Sequence, residues 1–144
     1  METKNDNGGA GFTEYNDGTI QFETTQWSQG YYDNGKIWQT FTLPEGKYEM
    51  RIEVKNAANI GSGSTNIHFA VAQGESLPDN EELEKSDIIL SYLKFESEHT
   101  NKTSALPIFE LTEEKTITVG WVVSFSDICR NIEFKSVRLW SVAE

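Results

Sequence analysis

Two consecutive segments, residues 36–43 and 47–55, alternate between apolar and polar side chains, and this alternation constrains the fold more than any other feature of the chain. A period of two places successive side chains on opposite faces of a β-strand, whereas a helix requires a period near 3.6. Pro44-Glu45-Gly46 predicts a turn between the segments, and Asn34-Gly35 predicts a two-residue hairpin turn before the first. The residues expected to face the core are Ile37, Gln39, Phe41, Leu43, Tyr48, Met50, Ile52 and Val54.

The rest of the chain repeats this alternation between other turns. Apolar residues alternate again in 67–71 and 117–125, and both stretches predict strands. In residues 132–139 the apolar positions switch from even to odd near Lys135-Ser136, and such a switch within one strand predicts a β-bulge. Residues 87–95 are mostly apolar, which predicts a strand buried on both faces.

One short helix is expected within residues 76–85, where Asp79 and Glu82 have the spacing of a capping box. Eight or nine short strands without a strand–helix–strand rhythm predict an all-β fold, an antiparallel β-sandwich of jelly-roll type with that one helix. Immunoglobulin strand order is disfavoured because the Cys…Trp…Cys framework is missing; Cys129 is the only cysteine.

A chain of 144 residues has the size of one domain. We expect residues 1–10, which are polar and rich in glycine, to form a flexible tail, and residues 11–144 to form the sandwich. Met1 followed by such a run is also typical of a domain cut from a longer chain, so the absence of a signal peptide does not fix the location.

The charge of the chain excludes two classes of partner. A net charge of −11 would be repelled by nucleic acid and by anionic membrane surfaces, and no apolar run is long enough for membrane insertion. The 23 acidic residues fall mostly in turns or at outward strand positions, and the two histidines, His68 and His99, have no ligand or catalytic spacing. His68 is expected to point outward from its strand. We therefore expect no enzyme, no metal and no cofactor.

A binding site has better support, because several aromatic residues do not fit the core pattern. Sugars present C–H faces that stack on aromatic rings, and their hydroxyls bond to planar polar side chains. The residues predicted to bind a ligand are Trp27, Tyr31, Tyr32, Asp33, Asn34 and Trp38. The alternatives are a second hydrophobic layer that covers Trp38 and a protein-contact patch. We expect no ligand on the charged outward face of residues 49–55, and we expect Trp140 to cover the edge of the sandwich.

Four stretches resemble galactose-binding-like jelly-roll domains, which are related to carbohydrate-binding modules: GYYDNGKIWQTFTLPEGKYEMRIEV, HFAVAQGESLPD, ITVGWV and IEFKSVRLW. The similarity spans about residues 20–142 and is closest to an uncharacterised domain found near the C-termini of Bacteroidetes surface lipoproteins. This resemblance implies non-catalytic recognition of a polysaccharide or oligosaccharide, at the cell surface or in the periplasm, beside a neighbouring domain of a longer parent chain. The alternative function is a structural or adhesion domain without a sugar ligand.

Many domains of this kind hold a structural calcium through an Asp just before a V-x-L sequence. The matching position here precedes Val137-Arg138-Leu139 and is occupied by Lys135-Ser136. Because lysine cannot ligate a hard cation, the resemblance does not carry that calcium site over to this chain.

Overall fold

The chain forms two antiparallel β-sheets and one short helix in a computed structural model that describes residues 2–4, 12–14, 20–24, 32–58, 65–125 and 130–142. The elements are β1 (Glu2–Lys4), β2 (Phe12–Glu14), β3 (Ile20–Thr24), β4 (Tyr32–Leu43), β5 (Gly46–Ala58), β6 (Thr65–Gln73), α1 (Asn80–Leu83), β7 (Ile89–Lys94), β8 (Lys102–Ala105), β9 (Phe109–Leu111), β10 (Lys115–Phe125) and β11 (Arg130–Ser141). Sheet I has the order β1-β4-β10-β6-β7, and sheet II has the order β2-β3-β11-β5-β8, with β9 also paired to β5. The predicted antiparallel β-sandwich with one short helix is confirmed.

The turn predicted at Pro44-Glu45-Gly46 joins two strands that belong to different sheets. β4 lies in sheet I and β5 in sheet II, so the chain crosses the sandwich at this turn. The Tyr48 hydroxyl donates a hydrogen bond to the Pro44 carbonyl (2.8 Å), which fixes the crossing. Most of the predicted core positions of both strands are buried or packed against the core, but Gln39 is exposed.

Asn34-Gly35 is not a hairpin turn. Asn34 has the positive φ expected of it (55°), but it lies inside β4. Tyr32 pairs with Phe125 and Gly35 with Val123, so β4 has two residues where β10 has one. This is a β-bulge, and the left-handed conformation that suits a tight turn serves the bulge equally well.

The main core lies between the sheets and is centred on Trp121. Its ring contacts those of Phe69, Phe95 and Phe134, with centroid distances of 5.3, 4.8 and 4.9 Å. A second apolar cluster lies on the other face of sheet I, where Leu77 and Leu83 pack on Ala70, Ala72 and Val122. Sheet I is therefore covered on both faces at β6 and β10.

The burial predicted for residues 87–95 is wrong, and His68 is buried although it points outward from its strand as predicted. β7 is the edge strand of sheet I, and only Ser91 within it is buried, so residues 87–95 are not a strand buried on both faces. His68 faces away from the main core as expected, but it is fully buried because α1 and its flanking residues cover it.

The bulge predicted in the last strand is confirmed, and it determines which side chains face solvent. Phe134 pairs with Val54 and Ser136 with Glu53, so Lys135 is the extra residue of β11. A second shift lies between Glu133, which pairs with Asn56, and Phe134, and it leaves Lys55 as the extra residue of β5. After Lys135, Val137 and Leu139 pack against the main core. Ser136, Arg138 and Trp140 therefore lie on the outer face of sheet II.

Within the described part of the chain, no helix has the length and apolar character needed to span a membrane.

Candidate functional site

The structure describes only part of the predicted binding cluster. Trp27 and Tyr31 lie outside the described residues, and for Tyr32 and Asp33 only the backbone, which belongs to β4, is described. Asn34 and Trp38 remain, and both lie on the outer face of sheet I.

The side chain of Asn34 is engaged in internal hydrogen bonds. Its Oδ1 accepts from the backbone N–H of Asn80 (2.7 Å), and its Nδ2 donates to Glu81 (3.3 Å). Its own backbone N–H donates to the Ser124 hydroxyl (3.0 Å). Asn34 thus fixes the start of α1 against the sheet, and a sugar contact through this amide would have to break these bonds.

The Asp79 side chain makes no capping bond to α1, contrary to the capping-box prediction. It accepts instead from the Lys36 ammonium (2.7 Å), which also donates to the Leu77 carbonyl (3.0 Å). Because Asn34 supplies the acceptor at the helix start, the Asp79 carboxylate bonds to the buried Lys36 instead. These contacts attach the segment before α1 to β4.

His68 is enclosed by side chains of the covering segment. Its Nδ1 lies 2.8 Å from Asn80 Oδ1, and its Nε2 lies 3.2 Å from Glu84 Oε2. The Tyr92 hydroxyl also donates to Glu84 (3.2 Å). Burial alone would raise the pKa of Glu84, but the hydrogen bonds from His68 and Tyr92 outweigh it, and the pKa lies below its ordinary value. The same bond to Glu84 raises the pKa of Tyr92.

Trp38 is partly exposed at the border of the second apolar cluster. It lies opposite Gly120 of β10, whose lack of a side chain leaves room for the β4 backbone. Its position resembles the second hydrophobic layer that the sequence offered as an alternative to a ligand platform.

The outer face of sheet II carries an exposed aromatic ring among polar side chains. Trp140 is 44% exposed, and the Arg51 guanidinium lies 5.1 Å from the centroid of its ring. Arg51 also donates to Glu49 through Nε (2.6 Å). We call this surface the Trp140 groove; it has a volume of about 190 Å³ and is lined by Arg51, Glu53, Thr103, Ser136, Arg138 and Trp140.

Strand register brings these residues together. Arg138 lies directly opposite Arg51, and Ser136 opposite Glu53, whose other neighbour in the sheet is Thr103. The Ser136 hydroxyl donates to Glu53 (3.4 Å). This face of sheet II thus presents a ring, two guanidinium groups, a carboxylate and two hydroxyls.

Sequence reasoning missed this groove, having predicted no ligand on the outward face of β5 and only an edge-covering role for Trp140. The signal was the parity switch at Lys135, which turns Trp140 toward solvent. The pairing of β11 with β5, which places Trp140 beside Arg51, could not be derived from the alternation alone.

Among the residues that the structure describes, no group of three or more His, Cys, Asp or Glu could hold a metal ion.

Solved structures with the same fold include several domains that bind carbohydrate. The carbohydrate recognition domain of Emp47p has a TM-score of 0.56 at 12% identity, with 99% of this chain and 88% of that chain covered. TmCBM61, solved in complex with β-1,4-galactotriose, has a TM-score of 0.52 at 12% identity, covering 98% of this chain and 88% of that one. The xylan-binding module CBM15 has a TM-score of 0.51 at 14% identity, covering 99% and 90%. At these identities the likeness establishes the fold.

No curated protein sequence matches the chain. The family model described as "Domain of unknown function (DUF5013)" matches residues 1–120, which is most of the chain. The chain therefore belongs to the DUF5013 family of domains of unknown function.

Proposed function

We propose that this domain is a non-catalytic carbohydrate-binding module of a larger, extracytoplasmic surface protein of the kind found among Bacteroidetes lipoproteins. The observation that carries the proposal is the Trp140 groove, where an exposed indole lies beside planar polar groups. The fold shared with carbohydrate-binding modules supports it.

The chemistry of the groove matches that of a sugar ring. The indole of Trp140 offers an apolar surface on which the C–H face of a pyranose can stack. Glu53 can accept hydrogen bonds from sugar hydroxyls, and Ser136 and Thr103 can both donate and accept them. The Arg51 guanidinium is bound to Glu49 and lies over the Trp140 ring. These contacts hold the indole in position before a sugar arrives, so binding does not have to pay for ordering this side chain.

The test is affinity electrophoresis of the purified domain through gels that contain a broad panel of polysaccharides. We expect retardation by at least one polymer, and we expect Trp140→Ala to weaken that binding at least ten-fold, about 1.4 kcal/mol. Ile108→Ala is the matched control, because it also truncates an exposed large apolar residue (52%) but lies outside the groove. A folded domain that binds no polymer in the panel would refute the proposal.

The aromatic cluster of residues 27–38 remains a second proposed contact surface. Trp38 is its described member with partial exposure, and Trp38→Phe keeps much of its packing on the second cluster. If Trp38→Phe abolishes polysaccharide binding while Trp140→Ala leaves it intact, the binding surface lies on sheet I.

An adhesion domain without a sugar ligand is the second candidate function. Ile88 and Ile108 are exposed, and they adjoin Ile89 and Pro107, which line a groove of about 410 Å³ at the edge strand β7. Edge strands and exposed apolar side chains favour contacts with other proteins. This function is preferred if the polysaccharide panel is negative and Ile88→Glu or Ile108→Glu weakens binding of the neighbouring domain of the parent chain, produced as a separate polypeptide.

A further inference from the structure

The Trp140 groove contains two arginines, and in the part of the chain that the structure describes only Arg51 has a partner. Arg51 forms an ion pair with Glu49 (2.6 Å) and lies over the Trp140 ring. Arg138 is exposed and has no ion pair, hydrogen bond or ring contact within the described residues.

The strand register brings the two positive charges side by side. Arg51 and Arg138 are direct cross-strand neighbours, an arrangement that is destabilising for like charges. Among the described residues, the carboxylates next to the two arginines are Glu49, which is bound to Arg51, and Glu53, which accepts from Ser136. Neither forms an ion pair with Arg138 among the described residues, so the N–H donors of this guanidinium are open to a ligand, in a chain whose net charge is −11.

We infer that the Trp140 groove binds a glycan that carries an anionic group, with Arg138 as the anion-binding residue. This inference rests on the proposed function. A guanidinium presents paired N–H donors whose geometry matches a carboxylate or a sulfate ester. Trp140 then stacks on the ring of the sugar that carries the anion, and Glu53 accepts from a neighbouring hydroxyl. An incoming anion also relieves the repulsion between Arg51 and Arg138.

The net negative charge of the chain means that a preference for anionic glycans requires a local binding site. A net charge of −11 repels anionic polymers, so their binding cannot come from non-selective attraction. An acidic glycan is retained only if a local site overcomes that repulsion.

The experiment measures the affinity of the full chain for two matched pairs of polymers by isothermal titration calorimetry. The first pair is polygalacturonate and its carboxyl-reduced form, and the second is dextran sulfate and dextran. We expect at least one anionic polymer to bind about ten-fold more tightly than its neutral partner, and Arg138→Gln to remove most of this difference.

Lys135→Gln is the matched control. Lys135 is an exposed cation of the same strand that does not line the groove, so its loss removes the same charge and should leave the preference unchanged. If only one of the two pairs shows the preference, that pair identifies the anion as a carboxylate or as a sulfate.

The possible failures are distinguishable. Equal affinity for the neutral and anionic members of both pairs overturns this inference and leaves the proposed function standing. An equal loss in Lys135→Gln and Arg138→Gln also overturns it, because the attraction would then not belong to the groove. The absence of binding to any polysaccharide overturns the proposed function as well.

Discussion

Replacing Gly120 by alanine should destabilise the domain strongly, although strand propensity alone predicts the opposite. Gly120 lies in β10 at the middle of sheet I, paired with Trp38 of β4 and with Ala70 of β6. A Cβ at this position would lie 2.1 Å from the Ile37 carbonyl oxygen and 2.8 Å from the Trp38 Cα. Both are backbone atoms, so a side-chain rotation cannot relieve the overlap.

The size of the effect follows from this geometry. An ordinary carbon–oxygen contact is longer by about 1 Å, and β4 and β10 would have to separate by a similar distance although paired strands lie only about 4.8 Å apart. Overpacking typically costs 1–3 kcal/mol, and we expect about 3 kcal/mol because the clash is between backbones. Relief of the strand penalty of glycine would offset only about 0.5–1 kcal/mol.

The assay is urea unfolding followed by tryptophan fluorescence. We expect a lower midpoint at unchanged slope for Gly120→Ala, and a melting temperature lower by roughly 6–12 °C. Gly74→Ala is the control, because an added Cβ meets nothing within 4 Å there but the backbone has a φ of +98°. That substitution should cost about 1–2 kcal/mol from conformation alone. If Gly120→Ala is as stable as the wild type, or costs less than Gly74→Ala, the described packing of β4 on β10 is wrong.

Three further predictions concern the segment that covers sheet I. Leu83→Ala should cost about 2–5 kcal/mol, since Leu83 is fully buried there, and hydrogen exchange should rise in residues 76–88; unchanged exchange would show that the segment is not docked. Lys36→Met should destabilise folding by about 1–3 kcal/mol in urea by leaving the Leu77 carbonyl without its donor, whereas Lys47→Met should be nearly neutral. Because the pKa of Glu84 is depressed in the folded chain, its contribution to the free energy of unfolding is present above pH 4.5 and is lost as the pH falls through the folded value. Glu84→Gln should therefore flatten the dependence of stability on acid pH, and an unchanged profile would contradict this.

The alternation of side chains predicted the strands because burial on one face leaves a direct trace in the sequence. Residues 48–54 show this, with every even position buried and every odd position facing outward. The bulge at Lys135 was predictable for the same reason, since one inserted residue moves all later side chains to the other face. The burial predicted from local alternation therefore agrees with the structure in these segments.

Features that depend on more than one strand were not predicted from the sequence. The turn predicted at Asn34-Gly35 became a bulge because its register is set by β10, and His68 is buried because a segment from elsewhere in the chain covers it. The Trp140 groove depends on Arg51 and Trp140 lying side by side, which only the pairing of β5 and β11 determines. No periodicity within one segment contains that information.

The central claim is that the Trp140 groove binds polysaccharide, and an NMR titration tests it most directly. The ¹⁵N-labelled domain is titrated with a polysaccharide that it binds, and the indole N–H signals of its four tryptophans are followed. Trp140→Phe assigns the signal of Trp140 by its disappearance. We predict that the Trp140 signal shifts progressively to saturation, together with the side-chain N–H of Arg138, while the signal of buried Trp121 stays in place. A titration in which the polysaccharide binds and the Trp140 signal does not move would contradict the assignment of the groove as the binding surface.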